Sequence, residues 1–292
     1  MENIKPINNR TKDKFQTYYI IGDPVYHSLS PIMQNTAFRE LGLNYNYFAF
    51  RVSKEDLKTC IDSFRSLNVS GFNVTIPHKV DIIKYLDYLD ESALKAEAVN
   101  TVKNVNGNMW GYNTDIYGFM FPLRKRNFNF NQKKVLVIGS GGASRAIIAG
   151  LSEEKDNLSK IFIVNRTINN AMDLANFGLK NGLNCEFYHV DSVENFSIIS
   201  DLIINTTSLG MNNEKSIIDS KYIKKDSLIF DIVYKPVYTN LLLNAKLAKA
   251  QIIFGYEMLL YQGAQAFQIW TGLEAPIESM KKSILGIFGE PK

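Results

Sequence analysis

Residues 133–146 read Lys133-Lys134-Val135-Leu136-Val137-Ile138-Gly139-Ser140-Gly141-Gly142-Ala143-Ser144-Arg145-Ala146. The apolar run 135–138 predicts a short buried strand of the parallel kind. A glycine turn follows at once, and an apolar helix is expected over 143–151. Strand, tight glycine turn and helix N-terminus in that order form a seat for a diphosphate. Bare glycines let backbone N–H groups approach the oxygens, and the helix dipole favours the anion. Ser144 replaces the third glycine of the dinucleotide fingerprint. A tight turn without a ligand is the alternative reading.

Further strand candidates follow at 161–164, 186–189, 202–205 and 228–231. Helical stretches separate the first of them, and the alternation reads as a doubly wound sheet. The second strand ends in Asn165-Arg166-Thr167. Folds that bind NAD usually carry an acidic residue here, to accept from the ribose hydroxyls. A neutral residue and then a basic one point to NADP instead, because Arg166 can hold a 2′-phosphate with paired donors. An exposed loop arginine is the alternative. The strand at 202–205 ends in small hydroxyl residues, Thr206, Thr207 and Ser208, suited to a loop lying against a cofactor.

Ahead of the glycine turn, a strand at 18–21 leads to Ser28-Leu29-Ser30-Pro31. Ser30 before Pro31 predicts a helix start, with the hydroxyl as cap. Ser28 has no capping role, and two hydroxyls beside a helix N-terminus suit a carboxylate. A strand at 45–52 and a helix opened by residues 53–56 come next. Then Gly71-Phe-Asn-Val-Thr75-Ile-Pro77-His-Lys79 predicts a strand that meets a helix at the proline. Thr75 and Lys79 flank that junction, and helix is expected on to about Ala96. On its own, Lys79 reads equally as a solvated first-turn lysine. A strand at 98–102, an Asn106-Gly107 hairpin turn and a partner at 109–111 follow. Thr114 or Asp115 then starts a helix, either one serving as a cap. Near the C-terminus residues 255–272 form a helix closed by a glycine. Its apolar stripe carries Gln262, which needs partners if buried.

Composition bounds the function. The 292 residues suit two domains. Thirty-three basic against 29 acidic residues give a net charge of +4, too balanced for a nucleic-acid partner. The two cysteines fit no CxxC pattern, so a reducing cytoplasm is expected. Three scattered histidines make no metal motif. No signal peptide and no apolar run of roughly 18 residues is seen, so no membrane role is expected. Residues 1 to about 14 are polar and read as a mobile lead-in.

In order along the chain, several segments resemble the shikimate dehydrogenase family. They are Ser28-Leu-Ser-Pro31, Phe72-Asn-Val-Thr-Ile-Pro-His-Lys79, Ala98-Val-Asn-Thr101, Gly111-Tyr-Asn-Thr-Asp115, Gly139-Ser-Gly-Gly-Ala-Ser-Arg145, Asn165-Arg-Thr167, Asn205-Thr-Thr-Ser208, Asp231-Ile-Val-Tyr-Lys-Pro236 and the helix over 255–272. The ordered set spans roughly residues 18–288.

The resemblance implies an α/β fold of two domains. Residues 1–118 form an N-terminal α/β substrate domain, to which the C-terminal helices of 254–292 return. Residues 119–253 form a doubly wound, Rossmann-like NADP-binding domain. The implied reaction is the NADP-linked interconversion of 3-dehydroshikimate and shikimate, on the route to aromatic amino acids. Carried over by position, Lys79 and Asp115 are catalytic. Ser28, Ser30 and Tyr234 hold the substrate carboxylate. Thr75, Lys79, Asn100, Asp115 and Gln262 hold its hydroxyls and the reacting oxygen. Gly139, Ser140, Gly141, Gly142 and Ala143 take the diphosphate, and Asn165, Arg166 and Thr167 the adenosine phosphate. Thr206, Ile232, Gly255 and Glu91 complete the cofactor side. The expected partners are the small-molecule substrate and copies of the chain, as monomer or homodimer. One departure is visible: Asn170 stands where the family often has a second basic residue, and Arg145 is a candidate to replace it. Relaxed use of quinate or NAD is the nearer alternative; a non-catalytic NADP-binding sensor is the remoter one.

Overall fold

The computed structural model describes residues 15–212 and 214–288. The expected lead-in over 1–14 lies outside the described residues. Among the described residues, two six-stranded sheets make up the architecture. The first contains β1 (Gln16–Gly22), β2 (Tyr45–Arg51), β3 (Gly71–Val74), β4 (Tyr88–Leu89), β5 (Thr101–Val105) and β6 (Asn108–Tyr112). Their order is β2-β1-β3-β5-β6-β4. β1, β2 and β3 run parallel, whereas β5 joins β3 and β6 antiparallel. Helices α1 (Ser30–Glu40), α2 (Leu57–Ser66) and α3 (Glu91–Ala96) belong to this part, and α4 (Asp115–Lys125) leads out of it.

The second sheet holds β7 (Lys134–Ile138), β8 (Lys160–Asn165), β9 (Cys185–His189), β10 (Leu202–Asn205), β11 (Leu228–Asp231) and β12 (Gln251–Ile253). All pairs are parallel, in the order β12-β11-β10-β7-β8-β9. This is the doubly wound order, and the chain reverses direction across the sheet between β7 and β10. Ligands bind in the crevice at that switch point. From Val135 to Ile138, β7 is an unbroken apolar run because both its faces are covered. Helices α5 (Gly142–Leu151), α6 (Ile168–Lys180), α7 (Val193–Ser197) and α8 (Asn240–Leu247) accompany this sheet.

The chain then returns. α9 (Gly255–Thr271) and α10 (Ile277–Phe288) pack on the first sheet. Phe267, Trp270, Met280 and Ile284 share one core with Tyr18, Phe38 and Tyr47. The Trp270 indole donates to the Val102 carbonyl at 2.9 Å. α4 is the seam: Phe119, Met120 and Leu123 join the core of the second sheet with Val135 and Ala146.

Several local expectations are corrected. The continuous helix expected after Pro77 is instead a turn, a 3-10 segment at Asp81–Tyr85, then β4 and α3. The backbone of β4 is claimed by β6, and Asp90 starts a new helix by accepting the Ser92 N–H. The strand expected at 98–102 begins at Thr101, because the Val99 N–H goes to the Lys79 carbonyl at 2.7 Å. Ser30 is not a cap: it is the first helical residue, its N–H donates to Ser28 Oγ, and its hydroxyl makes no capping bond. Neither Thr114 nor Asp115 caps α4 with its side chain. Asn113 Oδ1 accepts from the Asp115 and Ile116 N–H groups, which leaves both side chains free for the interior. β12 escapes sequence reading because three residues carry no periodicity.

Candidate active site

Lys79 is placed by the turn after β3. The His78 N–H donates to the Thr75 carbonyl at 3.0 Å, and the His78 ring donates through Nε2 to the Val52 carbonyl at 2.8 Å. This ties the turn to the end of β2. Lys79 therefore stands outside any helix, and the dipole penalty of a first-turn lysine does not arise. Its Nζ donates to Asp115 Oδ2 at 2.6 Å, with the two side chains only 13 % and 7 % exposed. An ion pair so shielded persists only if its other oxygens and protons are also satisfied. Asn100 Nδ2 meets that need, donating to Asp115 Oδ1 at 2.8 Å.

Asn100 is itself held, since its Oδ1 accepts the Thr114 N–H at 2.7 Å. Gln262 reaches the same cluster from α9, with Oε1 3.4 Å from Asn100 Nδ2 and 3.5 Å from Thr114 Oγ1. Gly118 makes this possible: a Cβ there would lie 2.7 Å from Gln262 Cβ, so only glycine lets α4 and α9 close up. Ser28 and Ser30 are joined to each other locally, and Ser30 is buried. Tyr234 follows β11 but packs against the core of α1 and α9. Burial pushes its phenol up, so it stays a donor. Thr75 is half-buried, its backbone N–H on the Ile21 carbonyl.

The glycine turn faces this cluster. Gly139 has φ +105°, and a Cβ on it would stand 2.5 Å from Thr206 Oγ1. Thr206 Oγ1 donates to the Ile138 carbonyl at 2.6 Å and lies 2.7 Å from Ser144 Oγ. Ser144 thus has a use that a third glycine could not serve: it fastens α5 to the loop after β10. A Cβ on Gly141 would meet nothing within 4 Å, an open approach of the kind a diphosphate needs. Ser140, Gly142 and Ala143 are half-buried along the same turn. A Cβ on Gly142 would stand 3.2 Å from Lys79 Cδ. Across the sheet, Asn205 Nδ2 donates to Asp231 Oδ1 at 2.9 Å, and the Ile232 carbonyl crowds the bare Gly255.

Asn165 Nδ2 donates to the Thr167 carbonyl at 2.9 Å, leaving Arg166 exposed at the tip of β8. Asn170 is exposed in the first turn of α6. Arg145 is not a free second cation: it pairs with Glu97 at 3.0 Å, and its guanidinium lies 5.0 Å from the Phe177 ring. Glu91 is exposed at the start of α3, and among the described residues no hydrogen bond joins it to the rest of the site. Sequence reading singles out Asn100 but misses Asn73 and Thr101, which bond to it out of sight of solvent. Their signal is faint: polar residues inside segments that are otherwise apolar.

A lysine able to give or take a proton has been brought against a turn suited to a diphosphate. That juxtaposition is the arrangement of a dinucleotide-dependent oxidoreductase. Family models agree along the chain: a shikimate dehydrogenase substrate binding domain matches residues 20–102, shikimate / quinate 5-dehydrogenase 122–234, and a shikimate 5'-dehydrogenase C-terminal domain 255–285. The shikimate dehydrogenase (NADP(+)) of Nitrosopumilus maritimus is 46% identical over 273 residues, covering 94% of this chain and 99% of its own. A shikimate dehydrogenase crystal structure in complex with NADP+ superposes with a TM-score of 0.86 at 39% identity, covering 98% of each chain. The Thermus thermophilus enzyme in complex with NADP(H) and shikimate gives 0.81 at 31% identity, covering 92% of this chain and 98% of its own. The chain belongs to the shikimate dehydrogenase family, whose members here are NADP-dependent oxidoreductases.

Proposed function

We propose that this chain catalyses the reversible NADP-linked reduction of 3-dehydroshikimate to shikimate. The observation that carries the reading is the shielded Lys79–Asp115 pair standing against the glycine turn. Residues 1–118 with 254–292 would bind substrate and 119–253 the cofactor, a division supported by the two separate sheets. When bound, NADP supplies or accepts the hydride. Gly139, Ser140, Gly141, Gly142 and Ala143 would hold its diphosphate, and Asn165, Arg166 and Thr167 its adenosine phosphate. Thr206, Ile232 and Gly255 would line the nicotinamide side, with Glu91 at the margin.

On the substrate side, Ser28, Ser30 and Tyr234 offer hydroxyl donors to the carboxylate. Thr75, Asn100 and Gln262 offer amide and hydroxyl groups to the ring alcohols. In reduction, negative charge grows on the reacting oxygen. The Lys79 ammonium stabilises it and then gives up a proton, and this electrostatic contribution is commonly the largest in such sites. In the reverse direction Lys79 takes the proton. Asp115 aims Lys79 and balances its charge, and its second oxygen is anchored by Asn100. The two buried free cysteines favour a reducing compartment such as the cytoplasm, with the chain acting as monomer or homodimer. Among the described residues no helix is long and apolar enough to cross a membrane.

The test is nicotinamide absorbance with purified protein and shikimate, run with NADP and then NAD, and repeated with quinate. Turnover fastest with shikimate and NADP supports the reading. Equal rates with quinate or NAD would point to the relaxed enzyme, and tight NADP binding without turnover to a sensor.

A further inference from the structure

Asp115 lies at the end of a longer buried chain of hydrogen bonds that starts in β2. The Tyr47 phenol donates to Asn73 Oδ1 at 2.7 Å. Asn73 Nδ2 donates to Thr101 Oγ1 at 2.9 Å and to the Asn100 carbonyl at 3.0 Å. Thr101 Oγ1 donates to Asn100 Oδ1 at 3.0 Å, and Asn100 Nδ2 donates to Asp115 Oδ1 at 2.8 Å. Tyr47, Asn73, Thr101, Asn100 and Asp115 are each at most 5 % exposed.

Two backbone groups fix the orientation of both amides in the chain. The Asn100 carbonyl can only accept, so the amide N–H₂ of Asn73 must face it. Asn73 Oδ1 then faces Tyr47, which has to donate. Thr101 accepts from Asn73, and its own proton lies between Asn100 Oδ1 at 3.0 Å and Thr114 Oγ1 at 3.1 Å. The Thr114 N–H can only donate, and it too lies on Asn100 Oδ1, at 2.7 Å. The amide N–H₂ of Asn100 is therefore the end left for Asp115. Burial holds the Tyr47 phenol far above its ordinary range, with the Ser30 hydroxyl working the other way, so it remains a donor. Donors aligned in one direction polarise each other.

We propose that Tyr47, Asn73 and Thr101 are positioning residues for the Lys79–Asp115 pair. They hold Asn100 with its N–H on Asp115 and so fix the carboxylate that aims the Lys79 ammonium. The chain begins at Tyr47 beside Ser30, in the region assigned to the substrate carboxylate, and ends at Asp115, in the pair assigned to the reacting oxygen. It thereby sets the spacing of two substrate contacts through the interior of the sheet. This inference rests on the shikimate dehydrogenase reading above.

Thr101→Val keeps the shape and removes the hydroxyl, whereas Thr101→Ser keeps the hydroxyl. Tyr47→Phe cuts the chain at its far end. Each variant is assayed for shikimate oxidation at saturating NADP, with folding checked by circular dichroism and thermal unfolding. The expected result for Thr101→Val is a kcat about tenfold lower or worse with the shikimate KM changed less than about threefold, since misplacement of a catalytic group falls on the chemical step. Thr101→Ser should return kcat to within about twofold, and Tyr47→Phe should show the same split in weaker form. Folded Thr101→Val and Tyr47→Phe proteins with wild-type kcat overturn the inference while leaving the reading intact. So does a kcat loss that serine fails to restore, because packing would then explain it. An inactive wild type overturns the reading and this inference together.

Discussion

The methylene stem of Lys79 lies directly against Gly142: a Cβ at 142 would stand 3.2 Å from the lysine Cδ and 3.3 Å from its Cβ. The loop that carries Lys79, the proposed proton donor, and the turn assigned to the diphosphate are thus in contact. Two glycines of that turn then have separable duties. Gly142→Ala should push the lysine stem aside and lower kcat by about tenfold, with the NADP KM little altered. Gly141→Ala meets no protein atom within 4 Å, so it should leave folding untouched and raise the NADP KM by occupying the approach to the phosphates. Steady-state kinetics of the two variants decides it; identical kinetic profiles would mean that the contact has no bearing on catalysis.

Removing the lysine tests the pair itself. Lys79→Met keeps the stem that packs on Gly142 and deletes the charge. A loss of about 10²–10⁴ in kcat is expected, the usual share of a positioned acid–base group, with a smaller change in shikimate KM. The variant strands a carboxylate only 7 % exposed, which should cost about 3–5 kcal/mol of stability. Adding Asp115→Asn should recover part of that loss without restoring activity. Thermal unfolding and a double-mutant cycle measure both effects; additive stability losses would show that the two charges do not act as a pair.

Arg166, exposed at the tip of β8, is the residue proposed to choose the cofactor. Arg145 is engaged with Glu97, whose carboxyl is held below its usual range mainly by Lys180 and further by Arg145. Asn170 offers no charge. Arg166→Ala should therefore raise the NADP KM by roughly 10–100-fold, the value of one charge-assisted contact, and leave the NAD KM almost unchanged. Preference for NADP should fall steeply as salt is added, because Arg166 is exposed. An NADP KM unmoved by the substitution would place the 2′-phosphate elsewhere.

Much of this was legible in the chain. Residues 135–138 are apolar without a break because β7 is covered on both faces, and that pattern survives in sequence. The strands ending at Asn205 and Asp231 match the observed bounds for the same reason. Asn106-Gly107 marks a hairpin because both residues adopt positive φ. Short elements are less visible. β4 and β12 owe their existence to pairing partners distant in sequence, and a run of two or three residues cannot encode a period. Ser30 and Thr114 misled as caps, since a capping residue and a residue turned inward differ only in which neighbour satisfies the backbone. Lys79 and Asp115, singled out by motif, are brought together as an ion pair. Tyr47, Asn73 and Thr101 escape the motif, because their bonds depend on a juxtaposition of β2, β3 and β5 that no local window contains.

Asp231 ties stability to pH in the opposite sense from most carboxylates. It is fully buried between β10 and the start of α8, accepting from Asn205, the Val233 N–H and Thr239. Burial outweighs those donors and pushes its pKa from 3.8 up to about 6. The folded state therefore holds the proton more tightly than the unfolded chain does. Stability from this group is complete below the unfolded value, declines as pH rises from about 4 to 6, and stays lower above that, by roughly 3 kcal/mol. Asp231→Asn removes the ionisation. Its oxygen can still accept from Asn205 and Val233, and its N–H₂ can donate to Thr239 Oγ1 after the hydroxyl turns. The variant should be no more stable than wild type at pH 4 but more stable at pH 7.5, in urea titrations at the two values. A stability difference that stays constant with pH would mean that Asp231 is ionised in the folded protein throughout, with its three donors outweighing burial.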